Sequence, residues 1–419
     1  MHDWQRARPA GGRGRRALLG LAAVAVVGLA LVLATDRGGE PLTVEEPDPA
    51  DDAGEPAAGE ADGALAVGQW QRLPDVPLEA GAMSAAAWAD GAVHVAGSAA
   101  AADRGGGLRT EVASLPLDGD GEAADRDAES DEAEWSTAAT PPLGGARVTL
   151  AAGVGDDLVL LGSGQGTPPA MAALDLDERA WDTAPPPQLG GSRLGHIGEG
   201  ALLLVRGRDD EPAEVQHYDA ATRRWEHHDD APVVARGSGA VETDGEIAVL
   251  GPVGAPSERV GAATLDPQGH WGEATLAPAE PGWQPDWAPH PTRGVALLGP
   301  DAQGEPQAAR WHPEAGWDEP GWPDPPVTLQ PGGFRVDALS EDLLLRRDGG
   351  LHGAWLLPGA FADPQDWQPL ASPPQALGRE PEVVIADDRL VALGGEDVHG
   401  EPTTAAFLLD PDLDPGNER

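Results

Sequence analysis

Between residues 69 and 411 the chain alternates short apolar runs with turn-forming pairs. The runs are Val93-His94-Val95, Leu158-Val159-Leu160-Leu161, Leu202-Leu203-Leu204-Val205, Ile247-Ala248-Val249-Leu250, Val295-Ala296-Leu297-Leu298, Leu343-Leu344-Leu345 and Leu390-Val391-Ala392-Leu393. Short, β-branched or leucine-rich and uninterrupted, they predict strands buried on both faces. Just upstream of each lies an acidic or glycine-containing pair: Asp90-Gly91, Asp156-Asp157, Glu199-Gly200, Asp244-Gly245, Arg293-Gly294, Glu341-Asp342 and Asp387-Asp388. These residues tolerate positive φ, so each pair predicts a hairpin leading into the run. A glycine then closes the run, at Gly97, Gly162, Gly207, Gly251, Gly299, more loosely at Gly349, and at Gly394.

Tryptophan sets the period. Trp70, Trp135, Trp181, Trp225, Trp271, Trp317 and Trp367 each occupy the same place in a repeated unit of strand, hairpin, strand, third strand and Trp-bearing strand. A period of roughly 40–50 residues with a fixed aromatic predicts the blades of a β-propeller. The fold class is therefore all-β: a seven-bladed β-propeller of four-stranded antiparallel blades. Trp70 has no preceding strands of its own, and the last unit, from about Glu380 to Asp410, lacks a Trp. An N-terminal outer strand pairing with the C-terminal blade would complete a seventh sheet and remove open edges. Six blades would require two units to be miscounted. The 57 Gly and 42 Pro supply the turns such a ring needs.

Within this period His217-Tyr218-Asp219 lies shortly before Trp225, with weaker copies at Leu174-Asp175 before Trp181 and Leu265-Asp266 before Trp271, and a double glycine at Gly394-Gly395. In these residues the chain resembles the kelch-repeat propellers, which include the galactose oxidase-like enzymes, over about residues 69–411. The resemblance implies broad recognition surfaces built from loops. It does not carry over copper-radical oxidase chemistry, which in that family needs a cysteine linked to a tyrosine. This chain has no Cys and only Tyr218.

Two segments precede the ring. Residues 1–16 form a basic tail with five arginines. Residues 17–35 are uncharged and apolar, and at 1.5 Å per residue would span about 28 Å as a helix, enough to cross a bilayer. The arginines predict a single-pass signal anchor in the cytoplasmic membrane, with the N-terminus inside and the propeller outside. The alternative is secretion after signal-peptide cleavage near Val32-Leu33-Ala34. Residues 36–68, rich in Asp, Glu, Pro, Ala and Gly, predict a disordered acidic linker. Residues 412–419 form a short tail.

Charge narrows the partners. Seventy-one acidic residues face 27 basic ones, all arginine, for a net charge of −44. Such a chain repels nucleic acid, and its acidity suits solubility in salt. Without cysteine, neither disulfides nor thiolate chemistry is available.

Three constellations are candidates for chemistry. Arg147, Arg193, Arg236, Arg335 and Arg379 each precede a blade glycine by 14 or 15 residues, at the entry to the innermost strand. There they could ring one mouth of the central channel and bind carboxylates with guanidinium forks, or serve structurally by bonding loop carbonyls and neighbouring acids. The acidic insert 118–134 places Asp118, Asp120, Glu122 and Glu129 at spacings that suit calcium, although position six is Ala123 and no helices flank it, which favours a solvated loop. His227-His228-Asp229-Asp230, with His217, offers imidazoles and carboxylates, but adjacent strand residues face opposite ways, so at most one of the two neighbouring histidines can join a given site.

The resulting expectation is a membrane-tethered, extracytoplasmic, kelch-like propeller that binds a protein or envelope glycan, without cofactor and without nucleic acid. The alternative is an exported sugar-modifying enzyme, mutarotase- or lyase-like, on the same fold. No catalytic residue set points to that enzyme.

Overall fold

The computed structural model describes residues 66–411 apart from 80, 101–107, 118–133, 165–166, 188–192, 198–200, 208–210, 244, 255–258, 348–349, 375–376, 378–379, 387 and 398. The apolar segment 17–35, most of the linker, the candidate calcium ligands Asp118, Asp120, Glu122 and Glu129, Gly349, Arg379 and the tail 412–419 lie outside these residues. Among the described residues no helix is long and apolar enough to cross a membrane.

The described strands form seven four-stranded antiparallel sheets. Blade one comprises β2 (Met83–Ala89), β3 (Ala92–Ala100), β4 (Leu108–Pro116) and β5 (Ser136–Thr137). Blade two follows with β6 (Arg147–Val154), β7 (Asp157–Gly164), β8 (Thr167–Asp175) and β9 (Ala180–Ala184). Blade three has β10 (Arg193–Ile197), β11 (Ala201–Arg206), β12 (Pro212–Asp219) and β13 (Arg224–Val234). Blade four is β14 (Gly239–Thr243), β15 (Glu246–Val253), β16 (Arg259–Thr264) and β17 (Thr275–Leu276). Blade five holds β18 (Asp286–His290), β19 (Gly294–Pro300), β20 (Pro306–His312) and β21 (Gly316–Asp318). In blade six the strands are β22 (Phe334–Leu339), β23 (Asp342–Arg347), β24 (Trp355–Leu357) and β25 (Gln368–Pro369). Blade seven takes β26 (Glu382–Ala386), β27 (Arg389–Leu393) and β28 (Ala406–Asp410) from the end of the chain, and its fourth strand, β1 (Gln69–Leu73), from the beginning. Trp70 faces Leu409 in that pairing. The ring is closed as the tryptophan register predicts.

The predicted apolar runs are the second strands, and Leu158, Leu203, Val249, Leu297, Leu344 and Val391 are inaccessible to solvent. Seven hydrophobic clusters follow, one at each junction between neighbouring blades. The junction of blades seven and one, for example, joins Val384 and Val391 to Trp88 and Val93. A ring built this way holds itself together by sheet-on-sheet burial at every joint. Two of the acidic hairpin pairs differ from the sequence reading by one residue. The tight turns fall at Gly155 and Ser340, both at positive φ, and not at Asp157 and Asp342, which begin their strands. Their carboxylates are used elsewhere: Asp342 accepts the Gly359 amide at 2.7 Å, and buried Asp157 lies 3.5 Å from Arg223.

The blade tryptophans act as latches. The indole N–H of Trp135, Trp181, Trp225, Trp317 and Trp367 each donates to a carbonyl of the preceding blade or the connection leaving it, at Pro74, Ala139, Pro185, Thr275 and Pro323, over 2.6–2.9 Å. Trp70 makes the equivalent bond to Ala371 at 2.9 Å, joining residues 301 apart in sequence. Trp271 differs: its buried Nε1 has no hydrogen-bond partner among the described residues.

Candidate functional site on the channel wall

The first strand of each blade lines the central channel. On blades five to seven these strands carry ionisable side chains among apolar neighbours. Asp286 opens β18; Arg335 and Asp337 lie on β22; Glu382 opens β26. Arg346, on β23, reaches back to the same group. Its Nε donates to Asp337 Oδ2 over 2.7 Å, with each side chain only 9% exposed. The Val336 amide donates to Asp286 Oδ2 at 2.9 Å, and Arg335 Nη1 lies 3.8 Å from Asp286 Oδ1. Glu382 accepts the Ala86 amide of blade one.

Burial dominates the acid–base behaviour of two carboxyls in this arc, Asp286 and Glu382. It pushes the Asp286 carboxyl up to about 6, against the stabilising Val336 amide and Arg335 charge. It pushes Glu382 further, to about 7, against the Ala86 amide and Arg346. Both carboxyls cross junctions between blades, so the arc links blades five, six, seven and one by polar contacts on their channel side. Sequence reading picked out Arg335 here and missed its partners. Their signal was faint: a charged residue opening or interrupting an otherwise apolar inner strand.

The other arginines are placed unequally. Arg147 opens β6 and is exposed, and Arg236 is exposed in the turn that leads into β14. Neither has an acidic partner among the described residues. Arg193 opens β10. Arg335 is half-buried against Asp286. The inner-strand entries therefore combine exposed guanidinium groups with one engaged in the wall.

The histidines fall elsewhere, on the outer part of blade three. His217 on β12 is directly opposite Glu226 on β13, and His228 is two residues further along β13 on the same face. One ring nitrogen from each histidine and a Glu226 carboxylate oxygen lie within 4.8 Å of one another. His227, paired with Gln216, belongs to the other face, as strand alternation requires. Burial holds the His217 and His228 imidazoles below the usual histidine range. His94 and His290 are held lower still, to about 4, by burial, and both are internally bonded, to Ser114 and Ala89 and to the Thr292 and Arg293 amides.

Fold and wall together define a seven-bladed β-propeller with a charged channel arc. No protein-family model and no curated protein sequence matches the chain. Among solved structures it is similar to the β-propeller domain of the Trilobed protease from Pyrococcus furiosus, at 10% identity and a TM-score of 0.48, over 78% of this chain and 95% of that one. It is also similar to an acylaminoacyl peptidase in complex with Z-Gly-Gly-Phe-chloromethyl ketone (10% identity, TM-score 0.44) and to the Pyrococcus horikoshii acylaminoacyl peptidase (8%, 0.44). These matches cover 78% and 81% of this chain but 51% and 52% of the peptidases, about half their length.

Proposed function

We propose that the propeller is a binding module that takes carboxylate-bearing groups of a protein or envelope glycan at the inner-strand entries, outside the cytoplasmic membrane and tethered to it by residues 17–35. The observation that carries this reading is the contrast between the exposed Arg147 and Arg236 and a channel arc whose acids Asp286, Asp337 and Glu382 are engaged by amides and an arginine of the wall. Exposed guanidinium forks at one rim suit bidentate recognition of carboxylates. The kelch-like reading is supported by the latch tryptophans and by Gly394-Gly395. Both glycines have positive φ, and a Cβ at Gly394 would run into the end of the Met83 side chain. It is supported as well by Asp219, which accepts the Ala221 amide and the Thr222 hydroxyl in the turn before Trp225.

The second reading, a sugar-modifying enzyme, has one observation in its favour: Asp286 and Glu382 titrate near 6 and 7, where a general acid or base is useful. One experiment separates the two. Immobilised polygalacturonate and polyglutamate should retain the full-length chain saturably, and Arg147→Ala with Arg236→Ala should abolish retention. Because the net charge of −44 repels polyanions at long range, retention should persist or strengthen as salt screens that repulsion. Equal retention of wild type and double variant would defeat the binding reading, and shortened polygalacturonate in the eluate would establish the enzymatic one.

A further inference from the structure

The failed latch at Trp271 and the histidine cluster of blade three are the same place. In the other blades the indole finds a carbonyl of the preceding blade, typically 40–44 residues earlier, as in Trp181 to Ala139 and Trp225 to Pro185. The corresponding stretch before Trp271 is around residues 227–231. Here β13 runs for eleven residues and slips register against β12 at Pro212/Ala213 and Ala213/Val215, with Asp230 at φ 57°. At this bulged edge the His228 ring lies beside the Trp271 indole. It meets Trp271 edge-on at 6.4 Å and stacks against His217 at 6.3 Å. Gly269, at φ +83°, brings the Asp266–His270 turn of blade four close to the same ring.

Two buried polar atoms here have no hydrogen-bond partner among the described residues: His228 Nε2 and Trp271 Nε1. Leaving such atoms unsatisfied forfeits their hydration without return. The blade could avoid that cost with apolar residues, so an orphan imidazole nitrogen beside a second imidazole and a carboxylate calls for a ligand. His217, Glu226 and His228 share one face through strand pairing rather than through a mobile loop, which fixes two of the three relative positions by register.

We propose that His217, Glu226 and His228 bind a divalent transition-metal ion of the zinc class, with the remaining coordination taken by solvent. Two imidazoles and one carboxylate form a donor set of the type zinc accepts, whereas calcium and magnesium prefer oxygen alone. Zinc bonds of about 2.0–2.1 Å place tetrahedral ligands about 3.4 Å apart. The present spread of up to 4.8 Å closes by a side-chain adjustment of Glu226, which is exposed and on the outermost strand. The ion stiffens the bulged edge of blade three against blade four, at the joint where the tryptophan latch is missing. It also presents an open coordination position at the perimeter of the ring, away from the channel rim.

Calorimetric titration of the full-length, untagged chain with zinc chloride at moderate salt tests this directly, and cobalt substitution reports the ligand field by visible absorption. The wild type should take up zinc saturably in a one-to-one component that calcium does not compete away, and zinc should raise its melting temperature. His217→Ala and His228→Ala should each remove that component and the thermal shift. Glu226→Gln, at an exposed position that leaves the fold intact, should weaken binding about tenfold or more. His227→Ala, on the opposite face, should bind as the wild type does. Absence of a saturable component in the wild type would overturn the proposal. So would undiminished binding in a His217→Ala/His228→Ala variant, or loss in His227→Ala equal to that in His228→Ala.

Discussion

In a Trp70→Ala variant the ring melts below the wild type by several degrees, with a loss of about 2–4 kcal/mol. Trp70 is half-buried against the cluster that joins blades six and seven, and its N–H bond to Ala371 fastens the first strand to the connection between those blades. Removing the indole leaves a void beside Leu390 and Leu409 and frees β1 to peel from β28. Trp70→Phe separates the two contributions. It keeps most of the apolar contact and loses only the hydrogen bond, at about 1 kcal/mol. Calorimetric melting of both variants is the check. An alanine variant as stable as the wild type would mean that β1 does not help hold the ring.

Glu382→Gln stabilises the chain at pH 8 and leaves it unchanged at pH 4.5. The carboxyl of Glu382 titrates near 7 when folded, against an ordinary value of 4.5, chiefly because burial penalises its charge. A folded-state value above the unfolded one means that the stability attached to this group is complete below about pH 4.5. That stability is lost as pH rises through 7. The shift corresponds to a loss on the order of 3 kcal/mol once the group is ionised in both states. Glutamine keeps the neutral form and its acceptor oxygen for the Ala86 amide, so it removes the loss. Asp286→Asn acts in the same direction over a window that ends near pH 6. Lowering the pH also relieves the self-repulsion of this acidic chain, so the informative quantity is the difference between wild type and variant at each pH, read by urea unfolding. A glutamine variant less stable at pH 8 would show that the ionised carboxylate is itself needed.

The architecture was legible because it repeats. Each blade restates the same hairpin, glycine and tryptophan, and Trp70 announced the closure by lacking strands of its own. Where the repeat breaks, sequence reading lost its guide. The channel arc draws Asp286, Asp337, Arg346 and Glu382 from three blades at unequal positions, and only the ring brings them together. Strand alternation correctly separated His227 from His228. It could not supply the cross-strand register that sets His217 opposite Glu226, nor the bulge that turns His228 toward Trp271. The two shifted hairpins have a related cause: an acidic pair reads as a turn whether its second carboxylate faces solvent or, as with Asp157, is buried beside an arginine of the next blade.

The closed ring depends on one claim, that its two ends meet in blade seven with Gln69 opposite Asp410. Antiparallel partners have Cα atoms about 4.5–5.5 Å apart, within the range a disulfide spans, and the chain contains no cysteine to confuse the result. The direct measurement is oxidation of a Gln69→Cys/Asp410→Cys variant, followed by non-reducing electrophoresis. The account predicts near-complete formation of a faster-migrating, reducible species, and little in a Gln69→Cys/Leu408→Cys control two residues out of register. Equal cross-linking in both, or none in the first, would contradict it.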